Sequence, residues 1–218
     1  MQLFSAGIIF GAAAGVFACK EDLVTHLPGW DGELTSKMYA GYVGPVEKVD
    51  SPGTQLNFHY VLFESENDPT NDPVLVYTSG GPGSPSIYGA LYELGPYKLD
   101  ELSWPPPVNG TGIPVLLRND YAWNRKANLL IMTSSPPVGY SYCNHGSRHC
   151  GAWNDTSTAI ANLGFLKGFY EKFPRFKTNK MFLAGDAGSS DCDEWNDTST
   201  ALANLGSFER LLRKVPKI

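Results

Sequence analysis

The sequence predicts an α/β fold with a mixed sheet and flanking helices. Three short apolar runs, at residues 74–77, 127–133 and 180–184, have the length and composition of buried strands. A helical pattern at 155–173 separates the second run from the third, and such alternation is typical of a parallel-rich sheet covered on its faces. The 218 residues, 42% of them hydrophobic, are enough for one globular domain with a core.

Two further strands are predicted ahead of the first apolar run. Residues 38–43 begin one strand, residues 55–64 form the next, and 51–54 supply the turn between them. Residues 55–63 alternate in part between polar and apolar, as expected for an antiparallel strand with one face in solvent. We expect His59 in this strand to be a surface or packed side chain and not a catalyst.

A glycine-rich segment, Thr-Ser-Gly-Gly-Pro-Gly-Ser-Pro-Ser at residues 78–86, follows the first buried run. Glycine lets the backbone turn sharply and approach a ligand closely. Adjacent glycine N–H groups can point at a developing negative charge, which is how a backbone oxyanion hole is built. The alternative interpretation is a plain Gly/Pro turn after a strand.

One helix and one long loop are predicted between the later strands. Asp155 or Thr156 is placed to cap the helix at 155–173, and Pro174 ends it. Four residues at three- or four-residue spacing form its apolar face: Leu163, Leu166, Tyr170 and Phe173. Residues 96–114 are rich in Pro and Gly, so we expect a surface loop there.

The first 18 residues are predicted to be a secretory signal peptide, which leaves a single domain at 19–218. No positive charge precedes the apolar run; the alternative is a membrane anchor, for which the run is short. No later run reaches membrane-spanning length, so no membrane association is expected after cleavage. The net charge of −5, without a basic cluster, argues against nucleic acid as a partner.

The four cysteines, Cys19, Cys143, Cys150 and Cys192, permit disulfides in a secreted chain. Cys143 and Cys150 are close enough in sequence to close a small loop. A zinc site that includes His145 and His149 is the alternative, but the paired spacing typical of structural zinc ligands is missing. We therefore expect no metal and no cofactor.

Three sites match the N-glycosylation pattern, at Asn109, Asn154 and Asn196. Such sites are consistent with a chain that passes through the secretory pathway. The destination of the chain would be extracellular, vacuolar or lysosomal.

Residues 79–86 resemble the Asn-Gly-Gly-Pro-Gly-Cys-Ser-Ser signature of the serine carboxypeptidase family. Further stretches resemble that family in order: 63–69, 123–128, 136–142 and 169–174. The resemblance covers roughly 27–188 and implies the N-terminal portion of an α/β-hydrolase fold, with an incomplete sheet. Ser79 departs from the family's Asn, and Ser134 stands where the family carries Asp.

The resemblance also implies the roles of several residues. Gly81 would supply an oxyanion N–H group. Ser79, Glu93 and Asp186 occupy positions where the family binds the substrate's C-terminal carboxylate. The implied partners are therefore the C-termini of peptides or proteins.

The nucleophile is not found where the resemblance requires it. The family's Gly-Glu-Ser-Tyr-Ala-Gly is replaced by Gly-Asp-Ala-Gly at 185–188, and no Gly-x-Ser-x-Gly occurs in the printed sequence. Ser190 is a weak candidate, because Cys192 fills the last glycine position of its pattern. In the family, a His and an Asp that both follow the nucleophile in the chain activate it. No His follows His149 in this sequence, so the family's His is not found either.

Three functional hypotheses follow. The first is a serine-type carboxypeptidase whose activity is impaired. The second is a non-catalytic secreted glycoprotein that binds peptide C-termini or a partner. The third is a product that does not fold stably, because a sheet cut short leaves an open edge.

Residues 192–206 are a near copy of 150–164, with twelve of fifteen positions identical. Repeat architectures need about three or more units to bury a continuous core. Two copies therefore indicate a recent duplication or a gene-model accident.

Overall fold

The computed structural model describes residues 20–80, 83–104, 112–144 and 150–185. The predicted signal peptide at 1–18 and the near copy at 192–206 lie outside the described residues. Among the described helices, none combines the length and the apolar character needed to cross a membrane.

The predicted mixed sheet is present. Strands follow in the order β1-β2-β3-β7-β4-β9, with β8 paired to β3 beside this path, and β5 pairs with β6 in a separate ribbon. The first four strands of that order are antiparallel neighbours, whereas β7, β4 and β9 are parallel. The strands are β1 Leu23–Val24, β2 Met38–Glu47, β3 Gln55–Phe63, β4 Val74–Thr78, β5 Tyr97–Lys98, β6 Leu117–Arg118, β7 Asn128–Met132, β8 Tyr142–Cys143 and β9 Met181–Gly185.

The helical elements lie between these strands. Helix α1 (Ile87–Gly89) continues into a π-helical turn, Ala90–Leu94, and α2 spans Asp155–Lys172. Short 3₁₀ turns lie at Lys20–Asp22, Glu101–Ser103, Trp123–Arg125 and Pro174–Phe176.

The cap of α2 differs from the prediction. Asn154, and neither Asp155 nor Thr156, is the N-cap: its side chain accepts a hydrogen bond from the Ser157 N–H, and the Ser157 hydroxyl accepts one from the Asn154 N–H. Asn154 has extended backbone dihedrals, which free its side chain to reach over the first turn. Asp155 is already helical, so it can contribute only its charge near the helix N-terminus.

The core is divided between the two faces of the sheet, because successive strand residues point to opposite faces. On one face, α2 and its C-cap residue Phe173 pack aromatic rings onto β3: the Phe58 and Phe165 rings are 5.6 Å apart, and the Phe173 ring lies 5.9 Å from that of Tyr60. On the other face, α1 and β5 cover the alternate residues of β3, β4 and β7. Both faces are therefore covered, as the helix–strand alternation predicted.

The third predicted strand, β9, is not buried as expected. Of its residues none is fully buried, and the Phe182 side chain is 53% exposed. The reason is its position, since β9 pairs with β4 on one side and no strand of the described residues pairs with its other side. An apolar composition alone does not show whether a strand is paired on both sides.

The predicted surface loop at 96–114 is wrong for its first residues. Tyr97 in β5 is only 2% exposed, and its ring meets that of Trp30 at 4.7 Å. Its hydroxyl accepts a hydrogen bond from the Thr35 N–H at 2.7 Å. The Pro/Gly composition of the stretch did not reveal this one inward-facing aromatic residue. Residues 105–111 lie outside the described residues.

Candidate active site

Three parallel strands end at one edge of the sheet. The last residues of β4 are paired on both sides, Tyr77 with Ile131 of β7 and Thr78 with Gly185 of β9. Ligands of open α/β sheets bind outside the carboxyl ends of the strands. The glycine-rich segment leaves β4 at this edge, so it lies where a ligand would be bound.

The glycine-rich segment is tied down by the buried hydroxyl of Ser86. This hydroxyl accepts a hydrogen bond from the Ser79 N–H at 2.9 Å and donates one to the Met132 carbonyl at 2.7 Å. Ser86 has no exposed surface. One side chain thus joins the beginning and the end of the segment to the carboxyl end of β7. Gly83, with a φ of +110°, makes the turn between them.

A second loop, residues 133–141, is held in the same manner. The buried Ser141 hydroxyl donates to the Thr133 carbonyl at 2.8 Å and accepts from the His59 N–H at 2.9 Å. Gly139 has a φ of +56°, and a Cβ atom built there would lie 3.1 Å from the Pro85 Cβ. The second loop therefore packs directly against the glycine-rich segment.

Behind the second loop lies a buried lysine. Lys48, 1% exposed, is paired with the Asp50 carboxylate and donates to the Ala152 carbonyl at 2.7 Å. Its ammonium group also lies 4.8 Å from the centre of the Trp153 ring. The hydrogen bond from Lys48 lowers the pKa of Asp50 below its ordinary value.

Trp153 links this lysine to the site, because its indole N–H donates to the Pro136 carbonyl at 2.9 Å. Pro136 belongs to the second loop, so the contacts run from Lys48 through Trp153 to the glycine-rich segment.

The predicted site residues lie partly within the described chain. Ser79 is half-buried at the carboxyl edge of β4. Glu93 lies on the π-helical turn that follows α1; its side chain is exposed, and its carbonyl accepts from the Asn119 side-chain amide at 2.9 Å. Gly81, Asp186 and Ser190 lie outside the described residues. The structure therefore places Ser79 at the carboxyl edge of the sheet. Glu93 lies further along the chain, on the turn that follows α1.

Three hydroxyl groups at this edge, those of Ser86, Ser134 and Thr78, were given no role from the sequence. Ser86 is the last residue of the signature, so its place in the motif was the available signal. Ser134, at the position where the resembled pattern carries Asp, donates from its hydroxyl to the Asn162 Oδ1 at 2.8 Å. Thr78 Oγ1 is buried without a hydrogen-bond partner among the described residues.

The remaining candidates lie away from this edge. Cys143 and Cys150 form a disulfide with their Cα atoms 5.8 Å apart, so neither sulfur is a free thiolate. His145 and His149 lie outside the described residues. Within the described ranges, no three His, Cys, Asp or Glu side chains are grouped to hold a metal ion.

Other polar candidates are placed as follows. His59 is partly buried between Tyr42 and Tyr140, and this burial lowers its pKa. Asn154 is exposed, whereas Asn109 and Asn196 lie outside the described residues.

The comparisons with known proteins agree on one family. The family model described as Serine carboxypeptidase matches residues 28–189. Serine carboxypeptidase-like 20 of Arabidopsis thaliana is 34% identical over 170 residues, which are 78% of this chain and 32% of that protein. The Lysosomal protective protein of Mus musculus is 37% identical over 170 residues, with the same two shares. The chain thus spans about a third of the length of these curated relatives.

A solved structure shows the same fold. The structure of Kex1(delta)p, a prohormone-processing carboxypeptidase from Saccharomyces cerevisiae, superposes with a TM-score of 0.63 at 22% identity. The match covers 90% of this chain and 40% of that one. The mixed sheet and its covered faces are therefore part of an α/β-hydrolase fold. Because the family model covers most of its length, the chain belongs to the serine carboxypeptidase family.

Proposed function

We propose that this chain supplies the substrate-binding half of a serine-type carboxypeptidase, an enzyme that releases C-terminal residues from peptides. The observation that carries the proposal is the attachment of Ser79 to the carboxyl edge of the sheet through Ser86. Family membership supports it, because the glycine-rich signature lies inside the matched range of 28–189.

In this proposal the substrate's C-terminal carboxylate is bound by Ser79, Glu93 and Asp186, and the Gly81 N–H stabilises the oxyanion. A carboxylic acid that carries its proton can donate a hydrogen bond to the substrate carboxylate. Ser79 is shorter than Asn and lacks an amide donor, so we expect weaker binding than an Asn at this position would give.

We further propose that the polypeptide of these 218 residues turns over little or no substrate. Acyl-enzyme chemistry needs a hydroxyl activated by an imidazole. The printed sequence has no Gly-x-Ser-x-Gly, and no His after His149. A non-catalytic glycoprotein that binds peptide C-termini is the second candidate, and it rests on the same half-buried Ser79 and the same absence of a Gly-x-Ser-x-Gly motif.

The proposed location is the secretory pathway, with an extracellular, vacuolar or lysosomal destination. The disulfide between Cys143 and Cys150 supports it, since disulfides persist in oxidising compartments. One relative is itself named a lysosomal protein. The proposed partners are peptide or protein C-termini, and not nucleic acid, because the net charge is −5.

Peptide binding tests the first proposal. We expect a peptide with a free C-terminus to bind the purified chain more tightly than its C-terminally amidated form. Ser79→Asn should tighten binding by about two- to tenfold, the effect of one hydrogen bond. Ser84→Ala, an exposed change in the same segment, is the matched control. Equal binding of the free and amidated peptides would contradict a carboxylate site.

A serine-directed fluorophosphonate probe tests the proposal on turnover. We expect no labelling of the purified chain and no release of amino acid from a bound peptide. Labelling of Ser190, or of any other serine, would show an activated hydroxyl and overturn this second proposal while leaving the binding proposal intact.

A further inference from the structure

Four aromatic side chains form an exposed patch at the amino-terminal end of β3. The His59 ring lies 5.6 Å from that of Tyr42 and 5.2 Å from that of Tyr140. The Tyr42 and Tyr142 rings are 5.3 Å apart. Tyr42, Tyr140 and Tyr142 are 42%, 65% and 41% exposed. Single exposed apolar side chains are ordinary, whereas rings from separate segments gathered into one surface are typical of a binding site.

We propose that this aromatic patch binds a large apolar or aromatic side chain of a peptide whose C-terminus is held at the carboxyl edge of the sheet. The side chain belongs to a residue about three positions before the C-terminal residue of the peptide. The inference rests on the proposed carboxylate site and deepens it, because it names the class of peptide that the site prefers.

The aromatic patch lies at the same edge of the sheet as the candidate site. Tyr60 pairs with Met132, the last residue of β7, so His59 lies past the carboxyl end of that strand. The His59 carbonyl accepts a hydrogen bond from the Thr133 N–H at 3.1 Å. The residue before Thr133 is the one whose carbonyl accepts from Ser86. Adjacent residues of the chain therefore fix the patch and the glycine-rich segment.

The second loop joins the aromatic patch to the glycine-rich segment. Tyr140 of the patch directly follows Gly139. A Cβ atom built on Gly139 would lie 3.1 Å from the Pro85 Cβ, so the two segments are in contact at this point. A peptide that crosses the second loop therefore passes from one site to the other over a continuous surface.

The aromatic patch and Glu93 also lie on the same side of the sheet. Because side chains alternate along a strand, His59 points to the same face as Val61. Val61 belongs to the cluster of buried residues that includes Ala90 and Leu94 of the π-helical turn. Glu93 lies on that turn. A peptide bound by Glu93 therefore reaches the patch without crossing to the other face.

The separation of the patch from the carboxylate site sets which residue of the peptide is bound. Strands β3, β7 and β4 are neighbours in the sheet. Neighbouring strands lie about 4.8 Å apart, so the patch on β3 is about 10 Å from the end of β4. An extended peptide advances about 3.3–3.6 Å per residue, so about three residues span this distance.

The chemistry of the aromatic patch favours an uncharged side chain. Burial lowers the pKa of His59, so its imidazole is neutral near neutral pH. Tyrosine rings supply a large, rigid contact area at a low cost in conformational entropy. In the described part of the chain, the hydroxyls of Tyr42, Tyr140 and Tyr142 make no hydrogen bond, so they are open to the peptide backbone.

A positional scan with the full chain tests the proposal. The probes are alanine peptides with a free C-terminus and one Phe, which is placed at each position in turn. We expect Phe at the third residue before the C-terminal one to tighten binding most, by about three- to tenfold relative to the all-alanine peptide, the effect of one added aromatic contact. Calorimetric titration measures the dissociation constants. A gain that is the same at every position, or no gain at all, overturns the proposal.

Variants of the exposed rings assign the gain to the aromatic patch. Tyr140→Ala should abolish most of the gain from Phe, and Tyr42→Ala should reduce it. Tyr140→Phe keeps the ring and should keep the gain. Tyr121→Ala is the matched control, because Tyr121 is 89% exposed and lies outside the patch. A gain that persists unchanged in both Tyr140→Ala and Tyr42→Ala contradicts binding at the patch.

Amidated forms of the same peptides separate failure of this proposal from failure of the carboxylate site. If free peptides bind more tightly than amidated ones but Phe adds no affinity, the carboxylate site stands and the patch is not a subsite. If free and amidated peptides bind equally while the gain from Phe still depends on Tyr140, the carboxylate site fails and the patch stands. Absence of binding by every peptide overturns both.

Discussion

Single hydroxyl groups decide the geometry of the loops at the carboxyl edge. Ser86 and Ser141 are both buried, and each bonds a backbone N–H on one segment and a carbonyl at the end of β7. A hydroxyl is suited to this task because it donates and accepts at once. A backbone group that is left buried without a partner is costly to the folded state.

Removal of the Ser86 hydroxyl tests this account. Ser86→Ala leaves the Ser79 N–H and the Met132 carbonyl without that partner, so we expect a loss of about 1–3 kcal/mol in the free energy of unfolding. Urea denaturation measures the loss, and peptide binding should weaken in parallel because Ser79 is no longer held. Ser84→Ala, on the exposed side of the same segment, should change neither. An unchanged unfolding free energy in Ser86→Ala would refute the attachment.

A second residue-scale prediction concerns the ion pair between Glu66 and Arg118. Both guanidinium nitrogens donate to the carboxylate, at 2.8 and 2.7 Å, and this hydrogen bonding lowers the pKa of Glu66 below its ordinary value of 4.5. A carboxyl group whose pKa is lowered by folding stabilises the protein above its unfolded pKa. That contribution is lost as the pH falls through the folded pKa.

We therefore expect Glu66→Gln to lower the unfolding free energy near neutral pH by about 1 kcal/mol or less. The difference from the unmodified chain should shrink as the pH is lowered past the pKa of Glu66. Denaturant titrations over a pH series measure it, with Glu33→Gln as an exposed control. A difference that stays constant down to acidic pH would contradict the role of the ion pair.

At the scale of elements, two glycines bring α2 close to β2. A Cβ atom on Gly164 would lie 2.5 Å from the Val46 Cγ1, and one on Gly168 would lie 2.6 Å from the Val43 Cγ1. Real Cβ atoms do not approach that closely, so each glycine is required by the packing and not by its backbone conformation. The spacing of four residues places both on the same face of the helix.

Substitution of Gly168 tests this packing. Alanine is a better helix former than glycine by about 1 kcal/mol, so propensity alone predicts that Gly168→Ala stabilises the protein. We expect destabilisation instead, by about 1–3 kcal/mol, because the added methyl group overpacks the contact with Val43. The double variant Gly168→Ala/Val43→Ala should recover part of the loss. Thermal and urea unfolding measure both, and a more stable single variant would contradict the close approach.

At the scale of the whole molecule, the sheet formed by the described residues has a buried central strand and a less buried last strand. All five residues of β7 are buried, and β7 pairs with β3 and β4. By contrast, β9 pairs with β4, and in the described part of the chain no strand covers its other side. Stability against local opening follows the number of paired neighbours and the amount of buried contact.

Hydrogen exchange should reveal this gradient. We expect the amides of β7 to exchange most slowly, followed by those of β4, and the amides of β9 to exchange faster than both. Exchange measured by mass spectrometry on peptides from the three strands provides the comparison, with β4 as the control for a parallel strand paired on two sides. Equal protection of β9 and β7 would show that the outer side of β9 is covered.

Much of this arrangement was predictable from local patterns. The apolar runs located β4 and β7, the partial alternation at 55–63 located β3, and Pro174 marked the end of α2. The glycine-rich signature predicted which loop reaches the carboxyl edge. These features depend on residues close together in sequence, whose periodicity and backbone preferences are legible without the fold.

Other features were decided by residues far apart in sequence. The inward turn of Tyr97 depends on Trp30 and Thr35, and the attachment of Ser86 depends on Met132. The position of β9 at the end of the described strand order depends on which strand it pairs with. The apolar residues of β9 do not determine that pairing.

The sequence by itself determined the family, the positions of the main strands and helix α2, and the segment that forms the candidate site. Only the tertiary structure decided that Asn154 caps α2, that β9 lies exposed, and which hydroxyl groups hold the loops of the site. The physical reason is the range of the interactions. Periodicity and turn chemistry act within a few residues, whereas burial and hydrogen-bond partners at the edge of a sheet are set by chain segments that meet only on folding.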